Sequence, residues 1–301
     1  MARILVLLGP TAVGKTACID AIADQFSAVV YADTACLYKD LHIGTAKPSA
    51  QEQSRIPHYL IDLLDLDQSF DAGDFFAHAQ AICTEYAAHE KPLIISGGTF
   101  FYIYNFLFGL SQAPAPQPGT REHWHRRLEE EGLEALRQLL FSIDPITAHR
   151  LRPNDSYRIL RALEVHYDTG RPLSSFPRPS TLRSEHEWLI IALQRPRDEL
   201  YARINARVED MWRQGLPQEI EYLKKTKGAR DDSPAMKAIG YRQFFLNLPD
   251  LQAVKTQIQL DSRHYAKRQI TFLKQFPIHY FCAADDIKGI SGHVENWLKM
   301  S

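Results

Sequence analysis

The chain opens on a short apolar run, Ile4 to Leu8, that stops at Gly9; farther on, apolar residues recur at helical intervals, at Cys18, Ile19, Ile22, Ala23 and Phe26. The first stretch reads as a buried strand, the second as a helix over 17–26. SAVVYAD, residues 27–33, is rich in β-formers and predicts a second strand whose last residue is Asp33. Residues 39–57 mix Gly, Pro and polar residues, which predicts a loop with at most one helical turn before the apolar run HYLIDLLD. DAGDFFAHAQAICTEYAAHE then reads as a helix, with Asp74 as its N-cap and Phe75, Ala79, Ile82 and Tyr86 along one face. KPLIISGGT follows as another buried strand. This alternation predicts a parallel, doubly wound α/β sheet with helices on both faces and right-handed crossovers.

The pattern breaks at SQAPAPQPGT, residues 111–120, where prolines and the loss of hydrophobic periodicity mark a linker. Residues 121–182 are charged and helix-rich, with helices expected at Arg121 to Glu131, Leu133 to Ser142 and Asp155 to Tyr167, and a Pro-rich stretch, RPLSSFPRPS, closes them. HEWLIIALQ, residues 186–194, is strand-like again, so the chain returns to the first sheet. A long helix from Asp198 to about Gln214, further helices to about Lys274 and a last edge strand in IHYFCA complete it. The expected organisation is a discontinuous core, 1–111 and 184–301, interrupted by an inserted helical subdomain, 112–183.

A chain of 301 residues with 45% hydrophobic content can bury one large core and a smaller unit. Its net charge of -1 leaves nucleic acid to be judged from local clusters. Cys18, Cys36, Cys83 and Cys282 lie far apart without CxxC pairing, which indicates neither zinc nor a disulfide framework. No apolar stretch is long enough to span a membrane, and Ile4 to Leu8 is too short for a signal peptide. A monomer in the cytoplasm is the expectation.

The break after the first strand carries the chemistry. GPTAVGKT, residues 9–16, has the GxxxxGK-Thr spacing of a phosphate-binding loop and sits between a strand and a helix, as such a loop requires. The expected phosphate ligands are Gly9, Pro10, Thr11, Ala12, Val13, Gly14, Lys15 and Thr16. Backbone N–H groups converge on the anion, Lys15 adds a full charge, and the Thr16 hydroxyl can reach Mg2+. Asp33, at a strand end beside this loop, suits a general base, though Asp-Thr is also a common turn cap. SGGT, residues 96–99, allows close backbone approach and offers the Thr99 hydroxyl. An NTPase would usually place a Mg2+-organising Asp there, and its absence weakens an ATPase reading.

Arg203 and Arg207 are four apart on one expected helix and can clamp an oxyanion. Arg263, Lys267 and Lys274 share a later helical face with Arg268, Tyr265 and Phe272 nearby, and more arginines recur in the insert: Arg121, Arg126, Arg127, Arg150, Arg152, Arg158 and Arg161. Basic residues interleaved with aromatics suit RNA. A small-molecule kinase and a non-catalytic RNA-binding protein with a vestigial loop stay open on these residues alone.

GPTAVGKT at 9–16, DTACLY at 33–38, IGTAKP at 43–48, IPHYLID at 56–62, SGGTFFY at 96–102, RPNDSYRILRALEV at 152–165, KAIGYRQ at 237–243 and AKRQITF at 266–272 occur in the order found in the tRNA dimethylallyltransferase (tRNA isopentenyltransferase) family, which the chain resembles nearly end to end. The resemblance implies a P-loop NTPase-like core that transfers a dimethylallyl group from dimethylallyl diphosphate to N6 of the adenosine next to the anticodon (tRNA position 37). The loop would hold diphosphate with Mg2+, helped by Arg203 and Arg207; Asp33 would be the base, with Lys15, Thr99 and Arg207 also catalytic. Contacts to the tRNA anticodon stem-loop would come from Asp33, Thr34, Ala35, Cys36, Thr99, Arg121, Tyr157, Arg158, Arg161, Lys237, Gly240, Tyr241, Arg242, Lys267, Arg268, Gln269 and Lys274. The sequence departs from the common family form at Thr34, Cys36 and His264. A related isopentenyltransferase acting on free adenine nucleotides is the alternative within the same chemistry.

Overall fold

The computed structural model describes residues 1–45, 47–89 and 91–300; Ala46 of the IGTAKP motif lies outside the described residues. In chain order the elements are β1 (Ala2–Leu8), α1 (Lys15–Ile22), β2 (Ala28–Tyr31), α2 (Ala50–Arg55), β3 (His58–Tyr59), α3 (Ala72–Ala87), β4 (Leu93–Ser96) and α4 (Phe100–Phe108). Then come α5 (Thr120–Ile143), α6 (Pro145–Arg150), α7 (Ser156–Thr169), β5 (His186–Gln194), α8 (Arg197–Arg213), α9 (Leu216–Thr226), α10 (Leu251–Leu273), β6 (Tyr280–Ala283) and α11 (Ile287–Lys299). Among the described residues the six strands form one all-parallel sheet in the order β3-β2-β4-β1-β5-β6.

Both faces of this sheet are covered, which is why its central strands read as unbroken apolar runs. On one face Leu5, Leu7, Val29, Ile94, Leu189 and Ile191 pack with Cys18 and Ile22 of α1, Leu200 and Ile204 of α8, and Ile290, Val294 and Trp297 of α11. On the other, rings from α3 and α4 meet: Phe75 stacks on Tyr102, and Phe106 packs against Phe75, Phe76 and Trp188.

The chain divides into two compact units, 1–107 with 183–301, and 108–182. The first break falls four residues, and the second one residue, before the junctions expected from the prolines. Gly109 (φ 96°) ends α4, and Arg183 belongs to the sheet unit because its guanidinium donates to Phe106 O (2.9 Å) and its N–H to Leu107 O (3.0 Å). Inside 108–182, α5 bends at Gly132, so the two helices expected there form one broken helix, and Trp124, Leu136 and Leu140 pack with Ile159, Leu160 and Leu163 of α7.

Two local readings need correction. Asp71, not Asp74, caps α3: its carboxylate accepts from Gly73 N and Asp74 N, while Asp74 accepts from Asp71 N in a capping box. With the helix so placed, Cys83 rather than Ile82 completes the buried face with Phe75, Ala79 and Tyr86.

The carboxyl ends of β2 and β4 are tied by Ala32 N donating to Ser96 O and Thr99 N to Ala32 O, both at 2.8 Å. That closeness demands glycine at 97, since a Cβ there would lie 2.1 Å from Ala32 O. Gly97→Ala is expected to destabilise the protein by about 3 kcal/mol, through forced separation of packed backbone. Urea unfolding measures it, and an unchanged midpoint would show that the two strand ends part without cost.

Candidate active site

The parallel sheet brings four strand ends to one edge: Gly9 after β1, Asp33 after β2, Gly97 and Gly98 after β4, and Arg195 after β5. Ligands in such sheets bind at this edge. The phosphate loop leaves β1 and enters α1 at Gly14, whose φ of 122° is one that side chains rarely adopt. The amides of α1's first turn have no partner within their own helix, and the helix dipole adds positive charge where they point.

The loop's carbonyls are held by cations. Lys15 Nζ donates to Gly9 O (2.8 Å) and Pro10 O (3.2 Å), Arg203 Nε to Ala12 O (2.9 Å) and Arg195 Nε to Val13 O (2.8 Å). Arg207 reaches Thr45 O (3.0 Å) and the Thr11 hydroxyl (3.4 Å). Not every loop residue offers its N–H to an anion, as the motif suggests. Thr11 N donates to Gln269 Oε1 (2.8 Å), Val13 N donates to Pro10 O (3.2 Å), and the Val13 side chain lies in the core.

Burial pulls the Lys15 ammonium down to about 8; Asp33 opposes that shift and Arg207 adds to it. Only the protonated amine supplies charge to a bound diphosphate. Affinity for a diphosphate, taken relative to a Lys15→Arg variant so that the ligand's own protonation cancels, is therefore expected to be steady below about pH 7 and to weaken up to about tenfold per pH unit as Lys15 deprotonates above 8. Calorimetric titration without tRNA checks this against Lys15→Arg, whose guanidinium stays charged; the same decline in both proteins would acquit Lys15. Burial also lowers Arg207 below the ordinary arginine value.

Asp33 is held from two sides. Its Oδ1 accepts from Ala35 N (3.1 Å) and its Oδ2 from Gly98 N (3.2 Å). The Thr99 hydroxyl accepts from Thr34 N (3.1 Å) and pairs with the Thr34 hydroxyl (3.0 Å). On the carbonyl side of the same residue, Gly98 O accepts from Tyr265 Oη and from Gln269 Nε2 (2.9 Å). Burial pushes the Tyr265 phenol up, so it remains a donor.

Two cavities meet at these residues. One, of about 490 Å³, is lined by Gly14, Lys15, Thr16, Gly98 and Arg203. The other, of about 370 Å³, mixes Ile204, Val208, Met211 and Ile258 with Lys237, Arg242 and Arg268. Thr11, Ala12, Asp33, Arg207 and Tyr265 line both. Thr34, Ala35, Thr99 and Gly240 also face the second, while Lys267 is exposed on α10 and Lys274 is exposed just past its end.

Three residues expected on an RNA-facing surface lie inside instead: Cys36 and Tyr241 are 0% exposed and Gln269 is 3% exposed. Tyr241 packs under the 43–45 turn, donating to Glu219 Oε1 (2.6 Å) and accepting from Gly44 N (3.0 Å). Glu219 in turn accepts from Ile43 N (2.8 Å). In unit 108–182, Tyr157 and Arg158 are exposed at the start of α7, Arg158 pairs with Asp155 (2.6 Å), and Arg121 and Arg161 both pair with the buried Glu164.

Sequence reasoning missed Arg195 and Glu219. An arginine directly after an apolar strand was the available signal for the first. Glu219 had none, because its partners are remote in the chain.

A family model described as IPP transferase matches residues 36–276. tRNA dimethylallyltransferase 2 of Geotalea uraniireducens is 38% identical over 304 residues, an alignment covering 97% of this chain and 96% of that protein. The chain belongs to the IPP transferase family. The tRNA dimethylallyltransferase of Syntrophobacter fumaroxidans is 39% identical, over 97% of this chain and 86% of its own. The full-length tRNA isopentenylpyrophosphate transferase of Bacillus halodurans superposes with a TM-score of 0.72 at 29% identity, over 99% of this chain and 97% of that one. A eukaryotic dimethylallyltransferase captured acting on tRNA gives 0.79 at 25% identity, over 96% of this chain and 75% of that one. The fold is P-loop NTPase-like, as in these IPP transferases, and the chain is a transferase.

A divalent cation fits the donors present only as a shared ion. Among the described residues no three His, Cys, Asp or Glu side chains cluster as a metal cage. Thr16, in the first turn of α1, lines the phosphate cavity, and one hydroxyl completed by diphosphate oxygens and water is an ordinary Mg2+ environment.

Proposed function

We propose that this enzyme transfers the dimethylallyl group of dimethylallyl diphosphate to N6 of the adenosine immediately 3′ of the tRNA anticodon and releases diphosphate. The observation that carries this reading is the wall common to the two cavities, where Asp33 and Arg207 stand between the phosphate loop and a mixed apolar and basic chamber. One cavity suits a diphosphate; the other suits an isoprenoid tail and an extruded base.

Adenine N6 is a weak nucleophile because its lone pair is delocalised into the ring, so orientation and proton removal both matter. The base leaves its stack to enter the second cavity. As the bond from N6 to the allylic carbon forms, the carbon–oxygen bond to diphosphate breaks, and the oxygen keeps the electron pair. Asp33 takes the N6 proton, while Lys15, Arg207 and the first-turn amides of α1 stabilise the departing charge. Mg2+, held by Thr16 and the diphosphate, would neutralise part of the same charge.

Lys237, Arg242 and Arg268 at the second cavity, with Lys267 on α10 and Lys274 just past its end, would contact the anticodon stem-loop, and contacts to it from unit 108–182 would come from Arg121, Tyr157, Arg158 and Arg161. Action as a monomer is part of the same proposal, and the buried free thiols of Cys18, Cys83 and Cys282 suit a reducing cytoplasm.

Incubation of the protein, Mg2+ and radiolabelled dimethylallyl diphosphate with unmodified tRNA, followed by nuclease digestion, tests the proposal. Label in N6-dimethylallyladenosine is expected. No transfer to tRNA, with phosphate passing from ATP to a small metabolite, would make this a kinase. AMP modified as efficiently as tRNA would make the acceptor a free nucleotide.

A further inference from the structure

Gln269 sits on α10 at 3% exposure, and both ends of its amide are engaged. Its Oε1 accepts from Thr11 N of the phosphate loop at 2.8 Å, and its Nε2 donates to Gly98 O at 2.9 Å. Gly98 is not a neutral anchor: its own N–H, one peptide group before that carbonyl, donates to Asp33 Oδ2 at 3.2 Å. A continuous line therefore runs from the phosphate loop through Gln269 and Gly98 to the carboxylate. Tyr265, one helical turn earlier on α10, donates to the same Gly98 O.

We propose that Gln269 is a positioning residue that fixes the spacing between the leaving diphosphate and Asp33, with Tyr265 as its second support on Gly98. The inference rests on the transfer reaction proposed above. A single buried primary amide suits the task because it offers one acceptor and one donor in a planar group, matching an N–H of one loop and a C=O of the other. No aliphatic side chain can do this, and a carboxylate satisfies only the Thr11 half. The residue touches neither substrate, so its effect lies in geometry at the reacting atoms rather than in affinity.

Gln269→Leu, Gln269→Glu and Tyr265→Phe are compared with the wild-type enzyme for thermal midpoint, dimethylallyl diphosphate affinity by calorimetry, and single-turnover transfer to tRNA at saturating substrates. For Gln269→Leu the turnover rate is expected to fall on the order of 10²-fold, because a displacement of about 1 Å at the reacting atoms costs that much. Affinity for dimethylallyl diphosphate should stay within about threefold. Tyr265→Phe, which keeps Gln269, should lose less.

Gln269→Glu supplies the readout that mere packing would not move. Its protonated carboxyl reproduces the donor–acceptor pair of the amide, so its rate relative to wild type should climb as pH falls. The comparison is made with wild type at each pH because Lys15, Asp33 and Tyr265, the ionisable groups around these two loops, and the Arg207 guanidinium are common to both proteins. Should Gln269→Leu fail to fold, the relative pH profile of Gln269→Glu decides alone. A flat relative profile, or Gln269→Leu turning over at the wild-type rate, would overturn the inference while leaving the transfer reaction intact. A wild-type enzyme that transfers nothing to tRNA would instead sink the reaction itself.

Discussion

Replacing Asp33 with asparagine is expected to lower the rate of dimethylallyl transfer by about 10³-fold, the loss that follows when a positioned general base is removed. Asparagine keeps an oxygen for Ala35 N or Gly98 N, the two backbone donors that hold the carboxylate, so the turn at 33–35 should survive. What disappears is the capacity to take a proton. Dimethylallyl diphosphate should therefore bind the variant about as well as it binds the native enzyme, and the deficit should appear in single-turnover rates with saturating tRNA. Normal transfer by Asp33→Asn would remove Asp33 from the proton path and leave its role as a clamp on Gly98.

Arg207→Ala is expected to lower kcat/KM for dimethylallyl diphosphate on the order of 10²–10³-fold, as loss of one fixed donor at a developing anion does. The guanidinium holds Thr45 O and the Thr11 hydroxyl and lines both cavities, which in the proposed reaction puts its charge where the carbon–oxygen bond would break. Burial makes the effect larger than a surface arginine could produce. Arg207→Lys should recover only a small part, because one ammonium cannot span two acceptors in the planar geometry of the fork. Steady-state kinetics with tRNA saturating will read both variants. A tenfold or smaller loss in Arg207→Ala would assign charge stabilisation chiefly to Lys15 and the helix terminus.

Much of the site was legible because its parts are local. The spacing of Gly9, Gly14, Lys15 and Thr16 dictates a loop that turns onto a helix, and an apolar run as short as Ile4 to Leu8, stopped at Gly9, reads as a strand covered on both faces. Asp33 and SGGT could be placed because a strand end is where such a sheet presents side chains. The small helix α6 escaped notice although Asp144, its N-cap, is followed by Pro145 at N1, and α11 escaped although Ile290, Val294 and Trp297 recur at helical spacing.

Partnerships between distant residues were not legible. Nothing in AKRQITF says that Gln269 turns inward to reach Thr11 and Gly98, since only the docking of α10 on the sheet decides which way it faces. Tyr241 and Cys36 read as surface contacts for the same reason. The burial of Tyr241 depends on Glu219 of α9 and the 43–45 turn closing over it, and no periodicity encodes that.

The position of β1 in the sheet has a consequence for how the enzyme comes into being. β1 is flanked by β4 on one side and by β5 on the other, with Ala2 opposite His186 and Leu8 opposite Ala192. A ribosome delivers the phosphate loop almost at once, yet that loop's Val13 carbonyl is held by Arg195, which follows β5. The intervening helical unit of residues 108–182 must be synthesised before the strand that completes the sheet beside β1. The oldest part of the nascent chain is thus among the last to acquire its native neighbours, and long-range closure of this kind is slow. Competence to grip a diphosphate is consequently a late event in biogenesis, reached only after about two-thirds of the polypeptide has been made.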